Sequence, residues 1–145
     1  MNNIEVLKDI AQTTYDSVEG YRKAAEQAEK SVFIKSFERR RDTRMKTLDH
    51  LNSALQAKGQ SPVTSPSLSG ETHQLFLTLS DTIANGDDAV ISRVEEGEEY
   101  LSAKFENALE KDSGIDASTR LTLQEAYRDV REGKRFSEML EQQYA

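Results

Sequence analysis

The chain has 145 residues, no cysteine and no tryptophan, and 19 Lys and Arg against 26 Asp and Glu, for a formal net charge of −7. That length suits one domain with one core. The lack of cysteine excludes a disulfide scaffold and any thiolate metal site, and the acidic balance argues against a nucleic acid or an anionic membrane as the main partner.

Apolar positions recur at spacings of three and four almost throughout, which predicts an all-α fold. The first helix is expected over 3–28, capped by Asn3, with Ile4, Leu7, Ala11, Thr14, Val18, Tyr21, Ala25 and Ala28 on its inner stripe; Asp16 and Glu19 fall on its flank or outside. The second is expected over 31–57, with Gly59 as its left-handed stop and Ile34, Phe37, Arg41, Arg44, Leu48, Leu51 and Leu55 inward. Residues 58–87 then form a long crossover, opening with a Pro- and Ser-rich loop and holding a shorter fifth helix over 70–84. A third long helix is expected over 88–110 (Ile91, Val94, Glu98, Leu101, Phe105, Ala108 inward). The last is expected over 117–143 (Leu123, Ala126, Val130, Gly133, Ser137, Leu140, Tyr144 inward). A continuous helix over 70–110 would overshoot partners of roughly 35–40 Å, so a break is expected at Asn85-Gly86-Asp87.

Short loop, long crossover, short loop is the connectivity of ferritin-like four-helix bundles, so residues 1–145 read as one such domain. Particular residues strengthen the comparison: Gly20-Tyr21 followed by Ala24-Ala25-Glu26, Phe37 with Arg44, Ser67 to His73 around Gly70, and Glu95 to Glu98 around Gly97. In these the chain resembles a bacterial family of small ferritin-like four-helix-bundle proteins of unestablished function. That pattern carries a glutamate where this chain has His50 and an arginine where it has Gln74. The resemblance implies a fold more than an activity.

A mid-bundle two-metal centre needs carboxylates from two helices and Glu-x-x-His from two others. Glu-x-x-His does not occur here: Thr47 precedes His50 and Gly70 precedes His73 at that spacing. Instead, Arg41 and Arg44 fall on the core stripe of the second helix and Glu98 on that of the third, near their midpoints. Buried charges must be paired, so an Arg44–Glu98 ion pair is expected. Arg41, Glu19 or a hydroxyl of Tyr15, Tyr21 or Tyr100 would complete it. Gly97 and Gly133 cost about 1 kcal/mol each relative to alanine and leave room beside that pair.

Arg39-Arg40-Arg41 with Arg44 does not form one helix face, so no nucleic-acid patch is read from it. No nucleophile elbow, phosphate loop or zinc-protease helix is present. No apolar run approaches the ~20 residues of a bilayer span, and Met1 to Glu5 lacks the features of a signal peptide, so a cytoplasmic protein is expected.

The favoured reading is a non-catalytic bundle without cofactor, acting by partner binding or self-association, a homodimer among the forms this would take, with an apolar patch drawn from Leu75, Phe76, Phe136 or Tyr144. A stress role is what ferritin-like relatives would imply. The alternative is an iron or manganese protein with a remodelled site, its ligands drawn from Glu19, Glu95, Glu98 and His50. A third is a small-molecule binder using space beside Gly97 and Gly133.

Overall fold

A computed structural model describes residues 2–67, 86–111 and 113–144. Among them are four long helices and no strand: α1 (Asn3–Gln27), α2 (Ser31–Ala57), α3 (Gly86–Ala108) and α4 (Ala117–Tyr144). The crossover helix expected over 70–84, with Leu75, Phe76 and His73, lies outside the described residues.

The ends follow from local chemistry. Asn2, not Asn3, caps α1: its Oδ1 accepts from Glu5 N at 2.9 Å. The expected cap was one residue late because two asparagines stand side by side. Asn3 instead ties the opposite turn, accepting from Asp116 N at 2.9 Å, while Asp116 Oδ1 accepts from Thr119 N at 2.8 Å and starts α4. Lys30 supplies no side-chain cap to α2. The α1–α2 turn is held from α3, where Asp87 accepts from Glu29 N at 2.7 Å and Lys30 N at 3.1 Å. Gly59 stops α2 at φ +75, and Gly86, at φ +81, opens α3 inside the break expected at 85–87, two residues before the expected start at 88.

Cross-helix contacts fix the directions. Ser17 meets Arg44 while Tyr21 meets Phe37, so α1 and α2 are antiparallel. Asp9 meets Lys104 at one level, and Ser17 and Glu98 share Arg44 at another, so α1 and α3 are antiparallel. Phe33 packs on Tyr144 and His50 on Glu125, so α2 and α4 are antiparallel. Ser92 bonds Glu141 and Phe105 stacks on Tyr127, so α3 and α4 are antiparallel too. The order is therefore up, down, down, up.

Residues between α2 and α3 must then join opposite ends of the bundle. Their described part starts that return along α1 and α2. Val63 N and O bond Asn52 at 2.9 and 3.0 Å, Gln12 Nε2 donates to Ser65 O, and Ser67 N donates to Asp16 Oδ1 at 3.0 Å. This contact corrects Asp16, expected on the flank or outside: it is buried beneath the returning chain.

The apolar core is in two parts. One gathers Leu7, Ile10, Leu51, Leu55, Leu101, Phe105, Leu123 and Val130 toward the end where α1 begins. The other gathers Tyr21, Phe33, Phe37, Ile91, Val94 and Leu140 toward the opposite end. Between them, at the midpoints of all four helices, lies a polar layer.

Candidate functional site

Arg44 is the centre of that layer and is wholly buried. Its Nη1 donates to Glu98 Oε1 at 2.6 Å and its Nη2 to Glu98 Oε2 at 2.8 Å, a two-pronged fork across the bundle from α2 to α3. Nη1 also donates to Ser17 Oγ of α1 at 2.6 Å. On the other edge, Nε donates to Asp129 Oδ2 of α4 at 2.8 Å. One guanidinium thus touches all three other helices. A planar, permanently charged fork is the side chain that can do this, whereas lysine offers a single point charge.

Asp129 has further partners. Thr47 Oγ1 donates to its Oδ2 at 2.8 Å, and Arg40 Nη2 donates to its Oδ1 at 2.5 Å and to its backbone oxygen at 3.0 Å. Two arginines face two carboxylates, so the layer is neutral in sum. That balance is what allows four ionised groups out of water, since an uncompensated buried charge is costly.

The electrostatics follow the geometry. Burial opposes the charge on Arg44, but Glu98, Asp129 and their hydrogen bonds outweigh it and raise its pKa further. Burial pushes the Asp129 carboxyl up; the charge and hydrogen bond of Arg44, the Thr47 hydroxyl and Arg40 outweigh that and hold it below its usual value. Tyr21 lies with its ring 5.6 Å from the Arg44 guanidinium carbon. Its phenol is pushed well above the ordinary range, by burial first and then by the Glu98 charge.

Gly133 makes room for the pair. A Cβ at this position would stand 1.7 Å from Glu98 Oε2 and 2.6 Å from Arg44 Nη2. The carboxylate lies where a side chain would begin, so the glycine in mid-helix is a steric requirement. Gly97 is also buried in α3.

Of the residues singled out in the sequence, Arg44 and Glu98 meet. Arg41 does not join them; its side chain is 29% exposed and pairs with Asp42. The inward neighbour is Arg40, because the available carboxylate, Asp129, comes from α4 on that side. Glu19 turns to Arg22 on its own helix, and His50 lies at the surface against Glu125 at 3.1 Å. Glu95 is half-buried among acids: burial, then Glu99, Glu141, Glu138 and Glu96, raise its carboxyl pKa. The Lys104 ammonium lies over the Tyr100 ring, and Tyr15 packs against the core. Tyr144, expected inward, is 53% exposed, and Phe136 is partly buried against Phe37.

Sequence reading missed Ser17, Arg40, Thr47 and Asp129. The one available signal was the place of Asp129, four residues before the inward Gly133 and three after Ala126, at the edge of the α4 stripe.

Among the described residues, no group of three or more His, Asp or Glu is arranged to hold a metal ion, and no helix is long and apolar enough to cross a membrane. Of the candidate ligands, Glu98 has both oxygens bound to Arg44, and Glu19 and His50 pair with Arg22 and Glu125.

A family model described as a domain of unknown function (DUF2383) matches residues 2–111. The matched stretch carries Ser17, Arg40, Arg44, Thr47 and Glu98, while Asp129 and Gly133 lie beyond it on α4. No curated protein and no solved structure matches the chain.

Proposed function

The chain belongs to this family of unknown function, and we propose that it is a non-catalytic ferritin-like helical bundle that works through its surface, by binding a protein partner or a second copy of itself. The carrying observation is the centre of the bundle. Glu98 and Asp129, its two carboxylates, are both bound to arginine, so neither is placed to hold a metal or to move a proton. The ferritin-like reading is supported by the helix order up, down, down, up with a long return between the middle pair. Recognition at the surface is supported by apolar side chains left in water beside the α1–α2 turn, where Val32 is 60% exposed. Tyr144, also exposed, packs edge-on against Phe33 at that end.

The test is metal analysis of protein purified without chelator or affinity tag, together with its melting temperature with and without ferrous iron or manganese, and its sedimentation over a range of concentrations. The expected result is metal far below one ion per chain, no thermal shift, and reversible association or a co-purifying partner lost on Val32→Glu. Near-stoichiometric metal with a raised melting temperature would overturn the reading in favour of a metal protein.

A further inference from the structure

The residues around the Arg44 head come from three helices that share no sequence neighbourhood, and they match a guanidinium edge by edge. Glu98 takes the Nη1–Nη2 edge with one oxygen per nitrogen, Asp129 takes Nε, and Ser17 takes a second hydrogen of Nη1. Gly133 leaves the space this arrangement occupies. We propose that Glu98, Asp129 and Ser17 form a guanidinium-recognising site whose resident ligand is the chain's own Arg44, a proposal that rests on the reading of the centre given above.

The dimensions separate this site from a metal site. Each contact runs 2.6–2.8 Å from a nitrogen, not from the middle of the cation. For a trigonal planar cation the oxygens then stand about 3.5 Å from the central carbon. A divalent ion at that point would need its oxygens at roughly 2.0–2.6 Å. The carboxylates would have to close in by about an ångström, and they are fixed to helices packed on both sides. A tethered cation cannot be chelated, diluted or oxidised, so the centre holds together whatever the metal supply.

The experiment is chemical rescue. Arg44→Ala empties the site and leaves its oxygens. Its melting temperature is measured with millimolar guanidinium chloride, with sodium chloride at equal ionic strength, and with manganese chloride, wild type alongside. The expected result is a rise of several degrees with guanidinium alone, and none in wild type. No rise with guanidinium, or an equal rise with manganese, overturns the proposal. Arg44→Lys keeps the charge and loses the fork, which covers the case where the alanine variant does not fold. It should melt about 10 °C or more below wild type; a melting temperature within about 2 °C would show that the site recognises a point charge. Metal in the wild-type protein would sink the functional reading, whereas failed rescue of a metal-free protein would sink this one alone.

Discussion

Gly133 shows how one missing side chain can decide a core. In an ordinary helix interior, Gly→Ala gains about 1 kcal/mol. Here the new methyl would overlap Glu98 Oε2, whose carboxylate cannot swing away without abandoning Arg44. Gly133→Ala should therefore lose about 2–4 kcal/mol in denaturant unfolding; a gain would mean that the pair can shift aside at no cost. Asp129 makes a second residue-scale prediction. Its carboxyl is held below its usual value, so its contribution is present above the unfolded value of about pH 4 and is lost as pH falls through the lower, folded one. Asp129→Asn should cost about 2–4 kcal/mol at neutral pH and flatten the acid limb of stability against pH; an unchanged acid limb would place the pH dependence elsewhere. The Arg44–Glu98 pair was legible because charges on apolar stripes near two helix midpoints have few other places to go. Arg40 and Asp129 were not, because each sits at the edge of its stripe, and only the angle between α2 and α4 selects Arg40 over Arg41.

Element boundaries were legible wherever a residue has one conformational use. Gly59, at φ +75, ends α2 as expected, and Gly86, at φ +81, falls in the expected break but already opens α3. The start of α2 was legible from its pattern, but its cap was not, since the acceptor is Asp87 from the far side of the crossover. On α3 the sequence shows a run of glutamates, and the fold adds Glu138 and Glu141 of α4 to it. Burial first, and then that company, raise the Glu95 carboxyl, so its ionisation works against the fold: its favourable share is present at low pH and lost as pH rises through the raised value. Glu95→Gln should raise the melting temperature at neutral pH and low salt, and the gain should shrink in high salt, where exposed charges are screened. A gain that ignores salt would point to burial of the charge instead of repulsion.

For the whole molecule, the polar layer divides one bundle into two apolar halves. The helix order was legible from loop lengths alone, because a long stretch between the second and third long helices is what two parallel neighbours in sequence require. The layer's energetic meaning was not legible, since burying a charge pair and breaking one have opposite consequences. Glu98→Leu leaves the Arg44 fork facing a leucine and should cost about 3–5 kcal/mol, and Arg44→Leu should cost a similar amount by stranding Glu98. The double variant removes both charges and lets the two halves of the core meet, while Asp129 keeps Arg40 and Thr47. It should lie within about 1–2 kcal/mol of wild type, so the cycle should give a coupling of several kcal/mol. Additive losses would mean that the two side chains are stabilised by different partners. A double variant as stable as wild type would locate the value of the layer in alignment: it admits only the helix register in which Ser17, Arg44, Glu98 and Asp129 come level, where a uniform apolar stripe would tolerate a slide of one turn.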